Sequence, residues 1–539
     1  MDLVKSNPLH GSPWSFLNLL VLIIVAMICC VSLELRRRRR GGKNGGATGG
    51  PRLPPGPWRL PFVGSLHHLA IMRPGVVVHR ALADLARRHD APVMYLRLGE
   101  LPVVVASTPD AAREILKTHD AAFSTRAMSV TVRESIGDKV GILFTPYGKK
   151  WRQLRGICTL ELLSVKRVRS FRPIREEQVA RLVDAIATAA SAGAAGEAAV
   201  VNVSRQITGP MTDLALRAIM GQCFRWREEF LETLAEAIKK TTGFGVADMF
   251  PSSRLLRAVG STVRDVKVLN AKLYDLVDCA IEQHREQSTA HDDDGGAHGD
   301  KECLLNTLMR IQKEGDDLDD TLTMSTVKAV ILDMFAGGSE STSTTLEWAL
   351  SELVRNPHVM HKAQAEIRHA LQGKSRVTED DLINLKYPKN IIKETLRLHP
   401  VAPLLVPKEC RESCKILSYD VPKGTIILVN AWAIGRDPRY WHDAEVFMPE
   451  RFEKVAVDFR GTNFEFIPFG AGRRMCPGIT FANATIEMAL TALLYHFDWH
   501  LPPGVTPDGM DMEEEFGMSV SRKRDLYLQP ILHVGLETI

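Results

Sequence analysis

The segment Phe469-Gly470-Ala471-Gly472-Arg473-Arg474-Met475-Cys476-Pro477-Gly478 holds the residues best suited to chemistry. An isolated cysteine most often serves as a small buried hydrophobe. Cys476 has different neighbours. Gly470, Gly472 and Gly478 permit tight turns and close backbone approach, so the loop can aim N–H groups at a sulfur. A helix is predicted to start near Ile479, and its first amides and dipole favour a thiolate. Arg474 can reach an anionic group on a ligand. Phe469 can pack beside the sulfur and limit solvent access. A thiolate shielded in this way suits a haem iron, to which it pushes electron density in favour of O–O cleavage.

Other groups have spacings that need helices to position them. Glu394 and Arg397, at i and i+3, share one helical face, as do Trp151 and Arg155 at i and i+4. Such charge pairs are also common on solvated faces, and a lone tryptophan is most often a core aromatic. Val327 to Arg355 reads as one long helix ending before Pro357. Gly337 and Gly338 fall inside it, at a cost of about 1 kcal/mol each relative to alanine. Adjacent glycines are tolerated there when something must come close, whether a ligand or a neighbouring helix.

The occupied pattern F-x-x-G-x-R-x-C-x-G resembles the haem-binding loop of the cytochrome P-450 superfamily. The resemblance implies heme b as cofactor, with the Cys476 thiolate as axial iron ligand. It implies that Phe469 and Gly478 of the cysteine loop bind the cofactor, and that Trp151, Arg155 and Arg474 meet the haem propionates. Glu394-Thr395-Leu396-Arg397 is similar to the family's E-x-x-R, and Pro449-Glu450-Arg451-Phe452 follows in family order. Arg451 would join Glu394 and Arg397 in a buried structural network that holds the loop in register. The family's A/G-G-x-D/E-T-T/S is met by Gly337, Gly338 and Glu340, but Ser341 replaces the usual threonine and Thr342 follows. Glu340 would feed a proton relay. Serine keeps the hydroxyl but lacks the β-methyl that restrains χ1. Thr342, one step along the helix, is turned by about 100°.

The remaining elements are mainly helical, with short strand-like runs at Val93–Leu98, Val103–Ala106, Thr425–Asn430 and Leu526–Leu528. Helical patterning covers, among others, Val76–His89, Arg172–Ala194, Ser261–Gln287 and Ile479–Tyr495. Ala185 to Val200 and Ser288 to Asp300 read as surface insertions. The expected fold is therefore mainly α with small β-sheets, a single large P-450-type domain behind an N-terminal transmembrane helix. Its parts are a lumenal head (1–13), a transmembrane anchor (14–33), a basic and Gly/Pro-rich linker and hinge (34–61), and the haem-thiolate catalytic domain (62–539). The 20 residues Trp14 to Leu33, mostly apolar, reach about 30 Å, enough to cross a bilayer core. Arg36 to Arg40 follow and hold that end in the cytosol.

The net charge is +4, and seven basic against two acidic residues lie within the first 50. The remaining body is close to neutral, which argues against nucleic acid as a partner. Nine scattered cysteines do not form a disulfide framework. With no dinucleotide fingerprint following a strand, electrons must come from elsewhere. The resemblance implies an NADPH-dependent diflavin reductase on the same endoplasmic-reticulum membrane, with O₂ and a small lipophilic substrate. Segments such as Phe335-Ala336-Gly337-Gly338-Ser339-Glu340 and Thr345-Leu346-Glu347-Trp348-Ala349 resemble microsomal plant members of grasses, which implies a sesquiterpene or diterpene of defence metabolism. Candidate substrate-facing stretches by position are Met128 to Val140, Ile331 to Glu340, Val401 to Val406 and Gly517 to Val520, with Leu404, Leu405, Met518 and Val520 apolar. The alternatives are a haem-thiolate isomerase or dehydratase independent of O₂ and reductase, hydroxylation of an indole- or phenylpropanoid-derived substrate, and a non-catalytic haem-binding gas sensor.

Overall fold

The structure, a computed structural model, describes residues 51–70, 77–192, 199–221, 225–241, 245–259, 262–292, 303–314, 322–517 and 519–533. The head, the anchor and most of the linker lie outside the described residues, as does Met518. No helix among the described residues is long and apolar enough to cross a membrane.

The elements that matter for the site are eight strands and ten helices. The strands are β1 (Val93–Leu98), β2 (Leu101–Ala106), β3 (Thr125–Arg126), β4 (Val201–Asn202), β5 (Lys408–Glu409), β6 (Ile426–Val429), β7 (Phe497–His500) and β8 (Tyr527–Leu532). The helices are α1 (Val78–Arg88), α2 (Lys149–Gly156), α3 (Arg172–Ser191), α4 (Val203–Met220), α5 (Thr262–Asp292), α6 (Met324–Gly338), α7 (Glu340–Arg355), α8 (Pro357–Ala370), α9 (Tyr387–Leu398) and α10 (Ile479–His496).

The larger sheet runs β1-β2-β6-β5-β3. Its β2–β6 pair is parallel, and the other pairs are antiparallel. At its edge, the β3–β5 register sets Arg126 directly opposite Lys408. Two basic side chains from distant parts of the chain are thereby brought together by backbone pairing alone. A smaller sheet runs β4-β8-β7 and packs against α3 and α4.

The main core lies among α3, α4, α7, α9 and α10, with Val183, Ile207, Leu350, Ile391 and Leu490 all buried. α10 is apolar on almost every face, as expected of a helix surrounded by protein. This core fixes α9 and α10, which carry the E-x-x-R pair and follow the cysteine loop.

Several expectations need correction. Val327 to Arg355 is not one helix, because it breaks at Ser339 (φ −90°, ψ −65°) between α6 and α7. Two glycines just before the break weaken the helix there. α4 was not anticipated, since Gly209 and Pro210 fall inside it and normally interrupt helices. Asn202 starts it by accepting the Arg205 amide at 2.9 Å, and buried Ile207, Met211 and Leu214 hold it in the core. The segment from Ala185 is not a surface insertion throughout: α3 continues to Ser191 and Ile186 is fully buried. The helix that carries Trp151 and Arg155 is α-helical only to Gly156 and finishes as a π-helical turn over Ile157–Leu162.

Candidate active site

The cysteine loop is fixed by geometry that only glycine meets easily. Gly470 and Gly472 have φ of 70° and 72°. A Cβ on Gly472 would lie 2.2 Å from the Leu116 carbonyl oxygen. The close approach lets Asp120 accept both the Arg473 amide (3.0 Å) and its Nη1 (2.9 Å). The Cys476 amide donates to the Phe469 carbonyl at 3.0 Å, which closes the turn.

Cys476 is half-buried on the wall of a cavity of about 360 Å³. α10 starts three residues later, capped by Gly478. Burial pushes the Cys476 thiol up, opposed by the Gly478 N–H and by the charges of Arg155 and Arg126. Binding a metal ion at the sulfur would displace the proton.

One wall of the cavity is strongly basic. Arg126, Arg155, Lys408 and Arg474 line it, and Asp333 is the one carboxyl among the described lining residues. Desolvation lowers Arg126 to about 10, Arg474 to about 9 and Lys408 to about 7. Trp151, on α2, packs its ring 4.5 Å from the Arg474 guanidinium. Arg474 already donates Nε to Ser124 O (2.7 Å), Nη1 to Ile142 O and Leu143 O (both 3.1 Å), and Nη2 to Thr145 O. Most of its hydrogens therefore hold the loop to the chain before α2 rather than face a ligand. By contrast, Trp151 Nε1 and Arg126 Nε are buried donors without a partner. Orphaned buried donors are rare and call for an explanation. An anionic group seated among them supplies one, and the two carboxylates of a haem fit this donor set. Arg126 and Lys408 were not singled out from the sequence, because strand pairing between distant segments leaves no spacing signal.

α6 and α7 supply another part of the lining. Ser341 donates to Gly337 O at 2.7 Å and Thr342 to Gly338 O at 3.3 Å, and both line the cavity. Thr342 is therefore not turned away as its helical step suggested. Glu340 does not line it directly. Burial raises its carboxyl, and a hydrogen bond from Ser519, which does line the cavity, partly opposes the shift. Asp333 falls in the substrate-facing stretch Ile331 to Glu340 but was not singled out as a titratable group. Its Oδ2 accepts the Leu143 amide at 2.9 Å, and burial pushes its carboxyl up to about 7. Of the substrate-facing stretches, Met334, Ala336, Val401, Leu405 and Ser519 do face the cavity. Nothing from Met128 to Val140 does; Ile142 and Leu143 occupy that side. Leu404 packs instead in the core beneath the larger sheet.

The E-x-x-R pair is fully buried. Arg397 makes a bidentate contact with Glu394, both bonds at 2.7 Å, and donates on to Gly435 O and Ala444 O. Glu394 Oε1 also accepts from Arg451 Nε at 2.9 Å and from the Met448 amide at 2.8 Å. Trp441 links the network to the chain just before the cysteine loop: its ring lies 5.2 Å from the Arg397 guanidinium and 6.0 Å from the Phe466 ring. Phe469, at the loop's start, packs 5.2 Å from Phe459, which also contacts Phe466.

The family model for cytochrome P450 matches residues 54–528. The chain belongs to the cytochrome P450 family. It is 46% identical over 486 residues to the ent-isokaurene C2/C3-hydroxylase of Oryza sativa subsp. japonica, covering 90% of this chain and 93% of that protein. It is 44% identical over 479 residues to the 5-epiaristolochene 1,3-dihydroxylase of Nicotiana tabacum, covering 88% and 92%. A zebra fish cytochrome P450 solved with abiraterone has the same fold, with a TM-score of 0.69 at 22% identity, covering 84% of this chain and 99% of that one. The protein is thus a cytochrome P450 monooxygenase, and its cofactor is haem with a thiolate-ligated iron.

Proposed function

We propose that this cytochrome P450 hydroxylates or epoxidises a polycyclic sesquiterpene or diterpene hydrocarbon. The observation that carries this reading is the cavity's remaining wall. Ile142, Leu143, Ala215, Ala218, Ile219 and Met334 give an apolar surface beside the Ser341–Thr342 turn. Such a surface suits a ligand with few polar groups. The relatives named above act on compounds of that kind.

Cys476 would ligate the iron, with Trp151, Arg126, Arg155 and Lys408 holding the propionates and Arg474 holding the loop. When bound, the haem supplies reductive activation of O₂. The chain's part is to bind and orient. The apolar wall excludes water and presents the substrate. Ser341 and Thr342 place hydroxyls at the cavity edge, where they can pass protons inward from the Glu340–Ser519 pair. Glu394, Arg397 and Arg451 keep the cysteine loop in register.

Residues 14–33 would anchor the protein in the endoplasmic-reticulum membrane, with residues 34–61 as linker and hinge and the catalytic domain (62–539) cytosolic. Electrons would come from NADPH through a diflavin reductase. The test is turnover of membrane-bound protein with such a reductase, NADPH and a panel of terpene hydrocarbons. NADPH-dependent oxygenated product from one of them is the expected result. Saturable binding of none, with haem fully incorporated, would overturn the substrate class. Product without NADPH would point to the isomerase or dehydratase alternative.

A further inference from the structure

A second reactive site lies outside the cavity, at the turn after β5. Cys410 is fully buried, and its Sγ lies 4.0 Å from Sγ of half-buried Cys414. The backbone of Cys410 is pinned at both ends. Its amide donates to Thr425 O (2.9 Å) and its carbonyl accepts the Gly424 amide (2.8 Å). Cys414 opens a short hairpin, paired with Val421. The two thiols therefore differ in exposure and in freedom, and only a short movement separates them from the bonding distance of about 2.05 Å.

We propose that Cys410 and Cys414 form a reversible disulfide by exchange with a small-molecule disulfide of the glutathione type. Cys414, the accessible member, attacks the disulfide as thiolate, forms a mixed disulfide and releases one thiol. Cys410 loses its proton, attacks the Cys414 sulfur and releases the second. The pair gives up two electrons and two protons, and the external disulfide becomes two thiols. An accessible attacking thiol beside a buried resolving thiol is the arrangement that such exchange needs. The pair's own interaction supports the assignment, lowering Cys414 and raising Cys410.

The position gives the modification a route to the cavity. The ring that closes contains Arg411, whose amide donates to Ala122 O at 2.9 Å. Its guanidinium lies 5.6 Å from the centre of the Tyr147 ring, and Tyr147 lies 5.5 Å from Trp151. Lys408 of the basic wall lies two residues before Cys410.

The experiment equilibrates the haem-loaded protein in glutathione/glutathione disulfide buffers, quenches with acid, alkylates and maps peptides by mass spectrometry. A Cys410–Cys414 cross-link should rise in one transition as the disulfide fraction increases, and reduced glutathione should reverse it. Cys410→Ser should leave Cys414 trapped as the mixed disulfide, and Cys414→Ser should leave Cys410 unmodified. Half-buried Cys279, on α5, is the internal reference. Cys410 and Cys414 both remaining alkylatable while Cys279 becomes glutathionylated would overturn the proposal. So would equal modification of Cys410 in Cys414→Ser.

Discussion

The Arg474 guanidinium lies 4.5 Å from the centre of the Trp151 ring, while the indole Nε1 of Trp151 is buried without a partner. One face of the tryptophan thus stabilises the cysteine loop, and its edge is left for a ligand. Trp151→Phe separates the two roles, because it keeps an aromatic face and removes the donor. A hydrogen bond to a charged acceptor is worth about 1.5–3 kcal/mol. Haem should therefore dissociate roughly 10- to 100-fold faster from the variant, followed by transfer to an excess of an apo-globin. An unchanged rate would show that the indole N–H does not face the cofactor.

Breaking the buried Glu394–Arg397–Arg451 cluster should be far more damaging than its small size suggests. Glu394→Gln leaves two guanidinium groups without their carboxylate, at a cost of about 3–5 kcal/mol. Denaturant unfolding should show a loss of that order, with little haem retained at 37 °C. A loss below about 1 kcal/mol would mean that the backbone carbonyls around Arg397 suffice.

How much of this was legible in the sequence depends on how the signal is carried. The cysteine loop and the E-x-x-R pair are local patterns, and both appear where spacing put them. Arg126 and Lys408 face each other only because β3 and β5 pair across the sheet, and no periodicity records that. α4 was hidden by Gly209 and Pro210, whose local preference is overridden by packing against α3 and α7. The break at Ser339 was invisible for the opposite reason. A hydrophobic pattern on both sides reads as continuous even where the backbone is not.

Ser341 should prove more important to coupling than to folding. Its hydroxyl is held by Gly337 O at the cavity edge. Ser341→Ala should lower oxygenated product per NADPH by roughly 100-fold, the lower end of general acid–base effects, with peroxide released instead. Ser341→Thr restores the hydroxyl and should keep coupling near that of the parent. Equal coupling in all three proteins would assign proton delivery to Thr342.

Asp333 carries a definite pH signature. Burial raises its carboxyl to about 7, against about 3.9 in the unfolded chain. Between those values the folded state binds more protons, so this group's contribution to stability declines as pH rises from about 4 to 7. Asp333→Asn keeps an acceptor for the Leu143 amide and cannot ionise. It should gain roughly 2–4 kcal/mol over the parent at pH 8, and the gain should shrink toward pH 5. Urea unfolding at the two pH values measures this, and a pH-independent difference would contradict it.

The central claim is that Cys476 is the sulfur that binds haem iron at the head of α10. Its most direct test is the absorption spectrum of the reduced, carbon monoxide-bound protein. The parent should show the strongly red-shifted band of thiolate ligation. Cys476→Ser should lose it, while Cys158→Ser, Cys279→Ser and Cys303→Ser should retain it. A red-shifted band that survives in Cys476→Ser would contradict the account.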